Sequence, residues 1–295
     1  MKLYSKILLV AVATVSALAM VSCNKDNGKD EAEATFEAPE YADAAKTVTI
    51  TDSQNAVSID GQEVSEFEFT ESGYAVITLN KKTKADSEDG VIIAPYTYSN
   101  GVYTIEGFGT IKIENGKLVV TTNSGNTVTV TATVSEPTTP SEGSTEWNLC
   151  RAWTLVDFKI SVKGGSLGST GVGKLFTNPK MSVIKAWLVE QKVNIPEDVV
   201  LENYDVVDIN FTSNGTFFIN FSKADPFVGA WDIKSNSFHY ELSSSGNYIF
   251  NGSADGSISF KKENNIDVCV FTVNGEIVNG NDKYTSEIVL TMKAK

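Results

Sequence analysis

The sequence contains a single histidine, His239, among 295 residues. A zinc site with two histidine ligands is therefore excluded, and a Ser-His-Asp or Cys-His relay would have to use this one residue. His239 lies in the alternating run Ser237–Leu242, out of phase with Phe238 and Tyr240. This position favours a side chain that is solvated, or that lies on the other face of the strand from Phe238 and Tyr240, over a catalytic one. Two carboxylates could still act as acid and base without histidine, and the sequence does not indicate which acids would pair.

Cysteine is also rare, with Cys23, Cys150 and Cys269 as its only occurrences. If Cys23 is modified, as argued below, the other two remain. An oxidising envelope would permit a disulfide between Cys150 and Cys269. Two separately buried thiols are the alternative, and the sequence leaves both open.

Only one stretch of the chain is apolar over a long run, and it lies at the N-terminus. Residues 7–21 follow Lys2 and Lys6, an order typical of the basic and apolar regions of a secretory signal. The run is shorter than the roughly 20 residues that span a bilayer, and no basic flank follows it. A transmembrane anchor is therefore the less favoured alternative.

The end of this run, Ala19-Met-Val-Ser-Cys23, resembles a lipobox. We expect cleavage after residue 22 and lipidation of Cys23, and more than one acyl chain gives stable anchoring. Residues 23–35 have few large apolar side chains and predict a disordered tether. Their acidity resembles a surface-export signal, so we expect an outer-membrane protein that faces the exterior, with the periplasmic face as the alternative.

Positive charge is in deficit: 24 basic residues against 37 acidic ones give a net charge of −13. Removal of residues 1–22 takes away two lysines, so the mature chain carries 22 − 37 = −15. An acidic surface repels nucleic acid and anionic lipid headgroups, so neither is expected as a partner. Solubility alone also explains such acidity.

The segment 135–146 lacks aliphatic side chains and contains two prolines, which is typical of a stiff linker. It separates residues 36–134 from residues 147–295, each long enough for one core. All four tryptophans lie beyond residue 146. The two predicted domains are therefore built differently.

The N-terminal domain shows the period-2 alternation of strands, most clearly over residues 127–134. Asn115-Gly116 separates two such runs, a strong hairpin signal because both turn residues take positive φ. Asn100-Gly101 and Asp60-Gly61 repeat it. The pattern predicts an antiparallel β-sandwich or meander of six to eight strands.

A charged loop, residues 81–90, interrupts this pattern and contains Asp86, Glu88 and Asp89. Its carboxylates could hold calcium, but their order does not match the EF-hand spacing. A solvated hairpin loop is the favoured interpretation.

The C-terminal domain combines one predicted helix with about eight strands. Asn178-Pro179 predicts a helix N-terminus, and Ile195-Pro196 its end. One face of this helix carries apolar residues, namely Met181, Ile184, Trp187 and Leu188. Short strands then continue from Tyr204 to Lys293, which predicts an antiparallel up-and-down barrel with no free edge.

Three motifs of this domain, Trp147–Val156, Ile209–Phe217 and Gly229-Ala-Trp231, resemble the lipocalin-like domain of bacterial surface lipoproteins. The resemblance departs from the usual Gly-x-Trp at the first strand, where Arg151 replaces glycine, so the closed end of the barrel could differ. It implies a small calyx that either binds an apolar ligand or is packed. Trp153, Trp187 and Trp231 are the candidate lining residues, with a role in the core as the alternative.

Residues Gly168–Lys174 fit most of a phosphate-binding loop. Leu175 replaces the residue that binds magnesium, Pro179 prevents a helix from continuing out of Lys174, and no βαβ unit surrounds the segment. A flexible glycine-rich loop is favoured, and no nucleotide or other cofactor is expected.

Our leading hypothesis is a non-enzymatic, surface-anchored binding module for a small apolar molecule or a glycan. The alternative is a structural or interaction protein that contacts a host or envelope protein and has a packed barrel. A hydrolase with paired carboxylates comes third.

Overall fold

The computed structural model describes residues 36–80, 90–164, 168–190, 201–234, 237–242, 253–279 and 282–295. Within these ranges only the backbone is described for residues 188, 201, 234, 237–242, 253–255, 275–279 and 282–284. The predicted signal peptide, the tether, Cys23 and the loop 81–89 are also outside it.

The described residues form two compact units. The N-terminal unit comprises residues 37–141 with 212–214, and the C-terminal unit comprises Phe36, residues 142–211 and residues 215–295. In sequence, the N-terminal unit is thus an insertion between Phe36 and Glu142. The boundaries predicted at residues 134 and 147 stay predictions.

The N-terminal unit is an antiparallel meander. Its strands are β1 Lys46–Ile50, β2 Ser58–Ile59, β3 Gln62–Phe69, β4 Tyr74–Leu79, β5 Val91–Ser99, β6 Val102–Ile105, β7 Gly109–Glu114, β8 Lys117–Thr122 and β9 Thr127–Ser135, after a 3-10 turn at Ala42–Ala44. Strands β3 to β9 pair in chain order, and β1 pairs with both β9 and β3. The sheet therefore curls until β1 joins its two ends.

Alternate side chains fill the inside of this sheet. Phe67, Phe69 and Tyr103 are almost fully buried, and the rings of Phe69 and Tyr103 stack 3.7 Å apart. The Tyr103 hydroxyl donates to the Ala44 carbonyl at 2.7 Å, and Tyr96 donates to the Thr70 carbonyl at 2.9 Å. Burial raises the pKa of both phenols, so each stays a hydrogen-bond donor.

The predicted hairpin turns are confirmed. Asn115 and Gly116 have φ values of 51° and 73°, and Asn100 and Gly101 have 53° and 80°. Positive φ at both positions is the geometry that asparagine and glycine adopt at low cost. Strands β7 and β8 flank the first of these turns, as predicted.

The C-terminal unit is a second antiparallel sheet. Its strands are β10 Ala152–Gly164, β11 Val172–Thr177, β12 Val206–Phe211, β13 Thr216–Phe221, β14 Phe227–Lys234, β15 Ser237–Leu242, β16 Ser253–Glu263, β17 Ile266–Asn279 and β18 Asp282–Ala294. Strands β12 to β18 pair in order, and β10 pairs with β18 along most of its length. At Ala152 and Trp153, β10 also pairs with β12, so eight strands form a ring.

Two helices accompany this ring, α1 Thr145–Leu149 and α2 Met181–Glu190, together with a 3-10 turn at Leu201–Tyr204. The Ser144 hydroxyl accepts from the Trp147 backbone N–H at 3.1 Å and caps α1. In the part of the chain that the structure describes, no helix has the length and apolar character needed to cross a membrane.

The start of α2 differs from the sequence prediction. Asn178 has a φ of 47° and lies before the helix, which begins at Met181. The Met181 N–H donates instead to Asp205 Oδ1 at 2.6 Å, so the capping acceptor comes from 24 residues further along the chain. Ile184 and Trp187 are buried, as predicted; the predicted helix end at Ile195-Pro196 lies outside the described residues.

The all-β fold class is confirmed, with a meander in the N-terminal half and an up-and-down barrel in the C-terminal half. The additions to the prediction are the short strand β2 and the strand β11, which lie beside β3 and β10.

Candidate functional site

The interior of the C-terminal barrel brings together the three tryptophans that the sequence predicts as lining residues. Trp153 is fully buried, and Trp187 and Trp231 are 8% and 7% exposed. All three belong to one apolar cluster of 22 buried residues, to which α1, α2 and most of the strands contribute. We call this cluster the barrel core.

Each tryptophan of the barrel core contacts other aromatic rings. Trp187 of α2 meets Phe176 of β11 edge to face, with centroids 5.6 Å apart. Trp231 of β14 meets Phe211 in the same way at 5.8 Å. Its indole N–H donates to the Thr216 carbonyl at 3.0 Å, and that of Trp153 donates to the Leu149 carbonyl at 2.9 Å. The polar edges of these two tryptophans are thus satisfied within the protein.

One end of the barrel core is formed by a cluster around Phe36, which we call the Phe36 clamp. The Phe36 N–H donates to Asn148 Oδ1 at 3.1 Å, and its carbonyl accepts from Trp147 Nε1 at 2.8 Å. Its ring lies 5.5 Å from that of Phe260 and 6.3 Å from that of Trp153. A residue that directly follows the predicted tether is therefore built into the C-terminal unit.

Arg151, the only arginine of the sequence, completes the Phe36 clamp. Its guanidinium carbon lies 5.1 Å from the Phe36 ring centroid and 5.9 Å from that of Trp153. Nη1 donates to Asp267 Oδ2 at 3.1 Å, and Nη2 donates to the Trp147 carbonyl at 3.3 Å. Burial lowers the pKa of Arg151, while the Asp267 charge opposes that shift. Arg151 thus gives this end a cation close to two aromatic rings.

A buried polar network surrounds Asp208 on β12. Asp208 is fully buried, and Oδ1 accepts from the side-chain amides of Asn210 and Asn220 at 2.6 and 2.7 Å. Oδ2 accepts from Lys295 Nζ at 2.5 Å. Donors surround this carboxylate on both oxygens, which suits structural support of β12, β13 and the chain end.

The two predicted disulfide partners, Cys150 and Cys269, are both buried. Both belong to the barrel core. Burial raises the pKa of the Cys269 thiol, which keeps it protonated and a poor nucleophile. The disulfide between Cys150 and Cys269 remains a hypothesis that chemical labelling tests.

The remaining candidates show no assembled site in the described part of the chain. Lys174 of the glycine-rich segment lies in strand β11, opposite Ile160, and not at the start of a helix. The backbone of His239 lies in β15 between Asp232 and Asp255 in register, and its side chain is outside the description. Among the described residues, no three His, Cys, Asp or Glu side chains converge as a metal site.

Sequence reasoning missed the Phe36 clamp and the Asp208 network. Phe36 stands at the edge of a polar segment, and nothing local links it to Arg151. Asp208 and Asn210 alternate with Ile209 and Phe211, a pattern that predicts exposure, yet both polar residues are fully buried.

Comparisons with known proteins give distant structural matches only. No protein-family model and no curated protein sequence matches the chain. Two solved structures of the vaccine antigen Transferrin Binding Protein B from Haemophilus parasuis Hp5 each match 85% of the chain. The first is a Trp-to-Ala mutant, with 10% identity and a TM-score of 0.25. The second is a Tyr-to-Ala, Trp-to-Ala double mutant, with 11% identity and a TM-score of 0.23. Intact Ap-TbpB, with its N and C lobes, matches 85% at 8% identity and a TM-score of 0.19.

The chain spans 44%, 45% and 60% of the lengths of these three structures. TM-scores at this level do not define a shared fold. The architecture of the chain is therefore described by its own strand pairing.

Proposed function

We propose that the protein is a lipid-anchored, non-enzymatic interaction protein of the outer bacterial surface, which binds another protein through the outside of its β-sheets. In this proposal, lipid on Cys23 holds the chain to the outer membrane. The C-terminal barrel is a packed scaffold and not a carrier.

The observation that supports this proposal is the composition of the barrel core. Ten of its 22 buried residues are aromatic, and pairs of their rings pack edge to face with centroids 5.6 and 5.8 Å apart. Binding sites for small molecules are concave volumes of about 300–1,000 Å³ lined by apolar groups. A barrel whose inward side chains fill one another's space leaves its outer surface as the part that recognises a partner.

The second candidate function is carriage of a small apolar molecule or a glycan. It is favoured by the position of Trp187 on helix α2, because a helix can move without breaking a strand ladder. The helix is held at its start by Asp205 and along its side by the Lys185–Glu202 ion pair at 3.0 Å. Phe176, which meets Trp187 edge to face, would then border the space that the displaced Trp187 leaves.

The anchor is tested with the substitution Cys23→Ala in the full chain. We expect incorporation of labelled palmitate into the unchanged protein and none into the variant, which should leave the membrane fraction. Protease treatment of intact cells should degrade the anchored protein. Protection from protease on intact cells, with full degradation after lysis, would refute exterior display.

The partner is tested by chemical cross-linking on intact cells, followed by mass spectrometry of the cross-linked peptides. We expect peptides that join lysines of this chain to one defined protein of the envelope or of a host surface. The control is the Cys23→Ala chain, which should lose those peptides. A surface-displayed chain that forms no reproducible cross-link, and that carries a small molecule instead, would favour the second candidate.

A further inference from the structure

Strand β11 offers a strand edge beside the ring of eight. It pairs with β10 from Asp157↔Thr177 to Val162↔Val172. In the sheet order it is the terminal strand, so β10 is its only strand partner among the described residues. An unpaired edge presents backbone donors and acceptors that another extended chain can use.

The hydrogen-bond pattern shows which groups face this edge. The Asn178 N–H donates to the Val156 carbonyl at 2.7 Å, so these two residues form a hydrogen-bonded pair. Pairs alternate along an antiparallel ladder, and Gly173, Leu175 and Thr177 therefore occupy non-hydrogen-bonded positions. Their N–H and C=O groups point away from β10.

The side chains at the same positions are accessible. Leu175 is 58% exposed, more than any other large apolar residue of the described chain, and Gly173 and Thr177 are exposed too. Leu175 pairs with Lys159 of β10 on the outer face of the sheet. The edge thus offers backbone hydrogen bonds, one apolar contact and no bulky side chain at position 173.

Lysines are concentrated in the segment of the sequence that contains this edge. Residues 157–187 contain five lysines and one aspartate, a net charge of 5 − 1 = +4, in a chain whose net charge is −13. Three of these lysines, Lys159, Lys180 and Lys185, pair with acids outside the segment. The other two, Lys163 and Lys174, are exposed and form no ion pair with a described residue; Lys174 Nζ lies 5.2 Å from the centroid of the Phe176 ring. Two copies of β11 would bring these lysines against one another, so self-association through the edge is disfavoured.

We infer that β11 is the docking edge for an extended, acidic segment of a partner protein, which adds as a further strand next to Gly173, Leu175 and Thr177. Main-chain hydrogen bonds supply the affinity in this mode, and alternate side chains supply the specificity. Carboxylates of the segment face Lys174, and on the opposite face of the added strand an apolar side chain covers Leu175. This inference rests on the proposed function, because it names the chemistry of the protein partner.

The probe is a fluorescein-labelled octapeptide, blocked at both ends, in which glutamate alternates with valine between terminal threonines. The matched control peptide has lysine in place of each glutamate. Anisotropy is measured with the full chain carrying Cys23→Ala. We expect at least tenfold tighter binding of the glutamate peptide, with loss of affinity as salt rises. Equal affinities for the two peptides would overturn the inference.

Three variants distinguish the contribution of backbone hydrogen bonds to binding from that of charge. Leu175→Pro removes an N–H that faces the free edge and none that bonds to β10, so it should abolish binding of the glutamate peptide. Leu175→Thr keeps this N–H, and its affinity for the peptide should stay within about fivefold of that of the unchanged protein. Lys174→Glu should weaken binding of the glutamate peptide at least tenfold. Unchanged binding by Leu175→Pro would contradict strand addition.

A further measurement avoids any change to the protein. The glutamate peptide is N-methylated at alternate residues, in the two alternate registers. One of the two methylated peptides should lose binding and the other should keep it, because only one face of a strand pairs with the edge. Retention of binding by both overturns the inference. If cross-linking nevertheless finds a protein partner, the docking edge is wrong and the proposed function stands.

Discussion

Arg151 and Asp267 form an ion pair, with Nη1 and Oδ2 3.1 Å apart, in which both side chains are nearly buried, at 10% and 14% exposure. The pair joins the segment between α1 and β10 to strand β17. It also holds the guanidinium over Phe36 and Trp153. The end of the barrel therefore depends on one arginine and its counter-charge.

Removal of Asp267 should destabilise the C-terminal unit strongly. Asp267→Ala leaves the Arg151 charge buried with no carboxylate, and we expect a loss of about 3 kcal/mol in the free energy of unfolding. Urea denaturation followed by tryptophan fluorescence measures it. The matched control is Glu263→Ala, which breaks the exposed Lys261–Glu263 pair and should leave the midpoint unchanged. Equal midpoints for both variants would contradict this role.

In the Asp208 network, loss of the central carboxylate should destabilise the C-terminal unit as strongly as loss of Asp267. Loss of the outer donor Lys295 should destabilise it less. Asp208→Ala leaves the amides of Asn210 and Asn220 without their acceptor and should cost about 3 kcal/mol. Lys295→Met removes one donor whose side chain is 45% exposed, and should cost about 1 kcal/mol. The two free energies of unfolding are compared by the same denaturation. A larger loss for Lys295→Met would be inconsistent with this assignment.

The cysteines give a prediction for alkylation without reductant, measured by intact mass on the Cys23→Ala chain. Because Cys150 and Cys269 are buried, and burial raises the pKa of Cys269, the native protein should take up no iodoacetamide at pH 8. After unfolding in guanidinium it should take up two labels. No label after unfolding would show that the two thiols had formed the disulfide.

Acid stability of the N-terminal unit should depend on Asp52. Its carboxylate accepts from the N–H groups of Gln54, Asn55 and Thr131 at 2.8, 2.9 and 3.0 Å, which holds its pKa well below the usual range. A depressed pKa in the folded state contributes stability above the unfolded pKa, near 4. That contribution is lost as the pH falls from there toward the folded value.

We therefore expect Asp52→Asn to lower the melting temperature at pH 7 and to flatten its decline below pH 4. Calorimetry between pH 2 and 7 gives both quantities. The control is Glu106→Gln, an exposed carboxyl that should leave the curve unchanged. A variant whose decline below pH 4 is as steep as that of the unchanged protein would refute the assignment to Asp52.

The hairpins of the fold could be predicted because their signals are local. Asn115 and Gly116 accept positive φ, and the alternation on either side fixes the inward face. Strands β7 and β8 therefore lie on the two sides of the predicted turn at Asn115-Gly116. The interior position of Trp187 followed in the same way from its spacing to Ile184 on one helix face.

The features that the sequence did not reveal are those made by residues far apart in the chain. Asp205 caps α2 from 24 residues away. The helix start is therefore set by this tertiary contact and not at Asn178-Pro179, where the local sequence predicted it. Phe36 meets Asn148 across 112 residues. Asp208 is polar in an alternating strand, and its burial depends on Lys295 and two asparagines that only the fold brings to it.

The most direct test of a filled barrel is native mass spectrometry of the Cys23→Ala chain, recovered under mild conditions from the soluble fraction of its own host cells. The packed barrel core predicts the bare polypeptide mass, with no change after organic extraction. A reproducible additional mass that organic extraction removes would contradict a filled interior. It would make the C-terminal barrel a carrier, and Trp187 the first residue to examine.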